Sequence, residues 1–233
     1  MNSVRHIQHV GVELPPPTEG PSAARERLRD RFPRTMTRRM THLGLLVGAV
    51  LDGVTLTPED AVVYASTFAE TGALENYLAS FPAASPALFQ TSIHPGAVQQ
   101  VLIGRQQPVA RLWPLAGRER QVEQAILTAL LETSSRVVLT GGEERGTWML
   151  EHGVASDRAF AFGCVLTRDP QGAIGAISLQ GDTAGADRAP TLIEFAEALA
   201  ARRTLRWAGE AGTISLTWRT PGTAARSSEP EAG

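Results

Sequence analysis

Two stretches of this chain, "AVVYAST" at 61 to 67 and "RVVLTGG" at 136 to 142, are apolar at consecutive positions rather than at alternate ones. A strand that is hydrophobic on both faces has to be covered on both faces, and where such runs alternate with helical segments the covering layers are helices. The pattern predicts an α/β chain: a layered α/β/α domain around a mixed sheet. With 42% hydrophobic residues in 233, there is material for a sizeable core.

Local punctuation assigns the remaining elements. "VRHIQHVGVEL" alternates like a strand, and the prolines of "PPPTEGPS" at 15 to 22 make a loop. A short arginine-rich helix, "ARERLRDRF", comes next. "MTRRMTHLGLLVGAVLDG" reads as a core helix with Thr37 or Thr41 as its cap and Gly53 past its end. "AETGALENYLASF" is a helix stopped by Pro82. The following segment is expected to be irregular up to His94, with a helix from Pro95 to Gly104 and a strand "PVARLW" at 108 to 113. A helix from Gly117 to about Glu132 presents Val122, Ala125, Ile126, Ala129 and Leu130 on one face. "RAFAFGCVLTRD" and "GAIGAISLQ" read as neighbouring strands joined by the turn "DPQG" at 169 to 172. A helix "TLIEFAEALAARR" and the strands "TLRWAG" and "GTISLTWRT" close a single domain over 1 to 220. The tail from 221 to 233 lacks a hydrophobic period and is expected to be disordered.

Within this order, "RLWPLAGRERQVEQA" at 111 to 125 runs from a strand through a tight turn into a helix, an architecture on which enzymes mount nucleophiles. The turn residues Leu115, Ala116 and Gly117 cannot attack anything. Composition removes further chemistry. All 22 basic residues are Arg, so a Schiff-base lysine and a Walker-type phosphate loop are both excluded. A net charge of -2, with no basic run interleaved with aromatics, argues against a nucleic-acid partner. One Cys forms no internal disulfide, the longest apolar run is too short to span a bilayer, and no leader pattern opens the chain, so a cytoplasmic protein without a membrane span is expected.

Three segments together resemble one family. "SPALFQTSIHPGAVQQVLIGRQQPV", "RVVLTGGEE" and "FAFGCVLTRD" follow one another in the order, and with the small residues, of the N-terminal half of the β-ketoacyl synthases, which share the thiolase-like fold. The resemblance spans about residues 37 to 180. It implies a thiolase-like half-fold and places the family's catalytic Cys at or beside Ala116, where none stands. The family's catalytic Lys has no counterpart either. The chain is therefore similar to a chain-length factor, the inactive partner in type II polyketide, aryl-polyene or fatty-acid systems. That likeness implies no cofactor and no metal, a heterodimer with a catalytically active β-ketoacyl-ACP synthase, and an acyl carrier protein served indirectly. It further implies an interface at Val109, Arg111 and Leu112, and an acyl tunnel lined by Trp113, Leu115, Phe89 and His94, although His94 beside Pro95 equally suits a helix entry.

The other reactive residues have plainer readings. Cys164 lies within a strand and reads as a small buried thiol. His6 and His9 are expected on opposite faces of their strand, and His42 and His152 lack ligand-spaced partners. Glu143 and Glu144 read as a solvated turn rather than an acid site, and Trp207 and Trp218 as packing. Two other classes stay open: an α/β hydrolase or acyltransferase using a serine, for which Ser92 near His94 is the available pair, and a stand-alone binding or structural protein.

Overall fold

The computed structural model describes residues 2–181 and 188–219. In chain order the strands are β1 (Ser3–Glu13), β2 (Ala61–Ser66), β3 (Arg111–Ala116), β4 (Arg136–Glu143), β5 (Phe160–Thr167), β6 (Gly175–Gln180), β7 (Leu205–Gly209) and β8 (Gly212–Trp218). The helices are α1 (Pro21–Arg27), α2 (Arg34–Thr37), α3 (His42–Val50), α4 (Thr71–Ala79), α5 (Pro86–Ser92), α6 (Gly96–Arg105), α7 (Gln121–Leu131), α8 (Trp148–Glu151) and α9 (Leu192–Ala200).

All eight strands form one sheet in the order β3-β2-β4-β5-β1-β6-β8-β7. The β3-β2-β4 end is parallel and every other pairing is antiparallel, so the sheet is mixed as expected. Its two faces carry separate cores. Ala61, Val63 and Ala65 of β2 pack with Val137 and Leu139 of β4 beneath α7 and α9. The intervening Val62, Tyr64 and Val138 pack beneath α3 and α6. This alternation is why both strands are apolar at every position. Each fully buried Val or Leu contributes about 1.5–3 kcal/mol.

Two helices begin on local caps, of which the sequence reading named the first as one of two candidates. The Thr41 hydroxyl accepts from Gly44 N at 3.0 Å and starts α3, and Thr191 with Glu194 forms a reciprocal capping box on α9. Trp207 is buried, and Trp218 packs against the same core. Elsewhere the structure corrects the sequence. Residues 86–92 form a helix, because the Ser85 hydroxyl caps Leu88 N and Pro86 occupies the first turn. The strand expected at 108–113 runs from Arg111 to Ala116, since the chain joins β2 only after Ala110 has donated its N–H to Asp60 O. The helix after it starts four residues late, at Gln121.

The largest correction concerns β5 and β6. They are not neighbours, because β1 lies between them and pairs antiparallel with both. The Gln8 amide of β1 donates to the Asp169 and Gln171 carbonyls at 3.0 and 2.9 Å, fastening the turn that carries β6 past β1. A register shift between Ile7 and His9 accompanies this clamp. Ile7 and Val10 consequently pack on the same core, and the alternation that set His6 opposite His9 is broken. Arg5 of β1 is buried and donates to the carbonyls of Glu132, Ser134 and Ser135, which anchors the loop before β4. The tail from 221 to 233 lies outside the described residues.

Candidate functional site

Among the described residues β3 is an edge strand, paired only with β2, and it delivers the chain to the elbow at Ala116 and Gly117. Gly117 N donates to Ser66 O at 3.2 Å, and Gly117 has φ +157° in a conformation that side chains rarely adopt. Arg120, with φ 54°, ends the turn, and α7 begins with no side-chain cap. The Gln121 amide reaches back to Leu115 O at 2.7 Å, while its Oε1 is buried without a hydrogen-bond partner. Over this elbow lies a cavity of about 570 Å³, reached by Thr67 and Phe68 after β2, Arg118 and Gln121 of the elbow, Glu143 of β4 and Thr191 at the start of α9. It occupies the carboxyl ends of the parallel strands, where α/β sheets place their ligands.

The turn after β4 behaves in the opposite way to the sequence reading. Glu143 and Glu144 are not solvated; they are 2% and 4% exposed. Glu143 accepts from Ser66 Oγ at 3.0 Å, from Phe68 N at 3.3 Å and from Thr67 N. Glu144 accepts from Ala73 N at 2.9 Å, within the first turn of α4. Burial pushes each carboxyl up to about 7, against the pull of those hydrogen bonds. Glu70 completes the group by accepting from Ala97 N at the start of α6 and by meeting His94 Nδ1 at 3.1 Å. The buried carboxylates hold the N-terminal turns of α4 and α6 and the loop after β2, as anions at helix starts do. Sequence alone gave no sign of Glu70 or Gln121, because their partners lie in other elements.

The expected site residues are dispersed around this frame. Ala116 is exposed at the end of β3. Val109 and Leu112 are half-buried against the core beneath α3 and α6, and Leu115 packs on the opposite core. Arg111 and Trp113 both reach Glu132, at 2.7 and 2.6 Å, and the Ser134 N–H, then the Trp113 indole and Thr133, hold the Glu132 carboxyl near 2 against its desolvation. Phe89 on α5 is half-exposed and tilts against Tyr77. His94 stacks on Tyr64 with ring centres 5.0 Å apart. None of Phe89, His94, Trp113 and Leu115 lines the cavity at the elbow.

Cys164 is fully buried in β5, and burial raises its thiol far above the usual range, as a packing residue requires. The residues lining the cavity include no Cys and no His. Ser92 Oγ donates to Phe89 O at 2.8 Å while the His94 ring meets Glu70, so the two do not form a nucleophile and base pair. Among the described residues no group of three or more His, Cys, Asp or Glu is placed to hold a metal ion, and no helix is long and apolar enough to cross a membrane.

No family model matches the chain, and no curated protein matches it in sequence. Solved structures do. A ketosynthase in complex with its chain length factor from Xenorhabdus doucetiae aligns with a TM-score of 0.63 at 17% identity, over 92% of this chain and 99% of that one. The chain has the ketosynthase fold. Two further ketosynthase-type structures agree: the ishigamide ketosynthase/chain length factor, with a TM-score of 0.57 at 12% identity over 75% of this chain and 65% of that one, and a β-ketoacyl synthase from Burkholderia phymatum, at 0.53 and 14% over 87% and 70%. The elbow after β3 carries Ala116 and Gly117, neither of which is a nucleophile.

Proposed function

We propose that this protein is a non-catalytic, chain-length-factor-type subunit that pairs with an active β-ketoacyl-ACP synthase and shapes its acyl tunnel. The observation that carries the reading is an intact elbow on a ketosynthase fold with no thiol in reach: Ala116 stands at the strand end and the chain's one Cys is buried in β5. Acyl transfer to a ketosynthase requires a thiolate, and nothing at this elbow supplies one. The similarity to a ketosynthase solved together with its chain length factor supports the same reading.

β3 is the surface offered to the synthase. It is the open edge of the parallel end of the sheet, with Arg111, Trp113, Pro114 and Ala116 exposed. An unpaired edge invites a strand from another chain. Val109, Arg111 and Leu112 form the contact on this proposal, and Trp113, Leu115, Phe89 and His94 bound the acyl tunnel once the partner is in place. An acyl carrier protein is served through the partner.

The decisive test is co-expression with a full-length ketosynthase, followed by size exclusion and acyl loading from a carrier-bound thioester. A one-to-one complex in which only the synthase becomes acylated is expected. Val109→Asp should dissolve the complex, and Phe89→Ala should leave it assembled while lengthening its products. Stoichiometric acylation of this chain, or a Val109→Asp protein that folds and assembles normally, would overturn the proposal.

A further inference from the structure

An open strand edge pairs with a second copy of its own chain as readily as with another protein, unless something on the edge prevents it. The groups that β3 presents follow from its pairing with β2. Gly117 N donates to Ser66 O, in the register that sets Ser66 against Ala116. Backbone groups alternate sides along a strand, so Trp113 and Leu115 also face β2, while the N–H and C=O groups of Leu112 and Ala116 face outward. Pro114 faces outward with them. The Ala110 bond to Asp60 lies one residue out of this register and precedes the strand. The outward side of an edge strand is where a residue without an N–H fits.

Charged side chains are the other common guard of an edge, and here they are drawn away from it. Arg111 and Trp113 both bond to the Glu132 carboxylate at the end of α7, at 2.7 and 2.6 Å. Glu132 is itself fixed: its carboxylate accepts from Thr133 N at 2.7 Å and Ser134 N at 3.1 Å, and its carbonyl accepts from Arg168 at 3.1 Å. Leu112 leans onto the core beneath α3 and α6. Pro114 is exposed at the middle of the edge and is left as its guard.

We propose that Pro114 sets partner choice at the β3 edge by refusing a second copy of the chain. Two identical strands paired across a twofold axis run antiparallel, and an outward residue of one exchanges a pair of N–H to C=O bonds with an outward residue of the other. Whichever of Leu112, Pro114 and Ala116 stands opposite Pro114, each copy lacks a donor, and a carbonyl on each is buried without a partner. A register that avoids Pro114 pairs one outward residue and no more. A strand of a different protein, with a donor at every outward position, meets the defect once instead of twice. That a synthase strand is the one admitted rests on the function proposed above, whereas the refusal of a second copy does not.

The test restores the donor. The purified full chain and its Pro114→Val and Pro114→Ala variants are compared by analytical ultracentrifugation over one concentration range, with hydrogen–deuterium exchange followed across residues 111–117. Both variants should self-associate about tenfold or more tightly than the parent, and the Leu112 and Ala116 amides should exchange more slowly as concentration rises in the variants alone. Circular dichroism melts establish that the variants are folded. Mixed with a full-length ketosynthase, the parent should stay in the heterologous complex, while Pro114→Val should divide between that complex and its own dimer. Equal self-association of the parent and both variants, or self-association that leaves residues 111–117 unprotected, would overturn the proposal. A parent that fails to bind any ketosynthase overturns the function proposed above and leaves the self-association result standing.

Discussion

The turns that follow β3 and β4 start one strand apart in the sheet order at the same end of the molecule, and they are built on opposite principles. The turn after β3 is an exposed elbow on an edge strand, fixed by a Gln121 amide and a Gly117 N–H, with Arg118 at the mouth of the cavity. The turn after β4 is central and buried. Its two carboxylates organise the loop after β2 and the start of α4. The surface turn is fixed by one amide and one backbone N–H, so little else depends on the Ala116 side chain. The central turn cannot change without disturbing its neighbours, because several backbone N–H groups end on it.

The sharpest break in this comparison is steric. Gly141 faces β2, and a Cβ there would stand 2.1 Å from the Ala65 carbonyl oxygen, with strands on both sides preventing retreat. Gly141→Ala should cost more than about 3 kcal/mol in urea unfolding or leave the protein insoluble. Ala116→Cys, at the exposed elbow, should alter stability by less than about 0.5 kcal/mol. With no His lining the cavity to activate it, the new thiol should not turn over acyl thioester.

A second contrast lies in pH dependence. Folded, the Glu143 and Glu144 carboxyls titrate at about 7, against an ordinary 4.5. Between those values the folded chain binds more protons than the unfolded one, so stability is fullest near the acid end of that window and falls as pH rises through about 7. The slope approaches about 1.4 kcal/mol per pH unit for each group. Urea midpoints measured from pH 5 to 8 should therefore decline, and Glu143→Gln should flatten the decline. Glu132 and Glu194, both held near 2, act in the reverse sense and withdraw their stabilisation only as pH falls below about 4.5. A midpoint that rises from pH 5 to 8 would mean that the central turn is not the buried, anion-averse site described.

The smallest effect belongs to the edge. Trp113→Phe removes the indole bond to Glu132 from a half-exposed strand and should cost about 1 kcal/mol or less in thermal or urea unfolding. A larger loss would make the β3 edge as structurally committed as the β4 turn.

The layered fold was readable because burial on both faces leaves a local trace, and the cap at Thr41 was readable because donor and acceptor sit three residues apart. The elbow was readable as a strand, a glycine and a helix, although its strand register was not. Glu143 and Glu144 were misread as solvated because two adjacent carboxylates after glycines look the same whether or not a loop closes over them.

The sequence by itself determined the α/β/α layering, the helix starts with local caps and the absence of a thiol at position 116. Tertiary structure alone decided that β1 separates β5 from β6, that β3 is an edge and that the glutamates after β4 are buried. Each of those outcomes rests on contacts between distant residues, such as Gln8 with the Gln171 carbonyl 163 positions away and Ser66 with Glu143 77 positions away. A local pattern of residue types records which groups seek partners, and only the closed sheet decides which partners they meet.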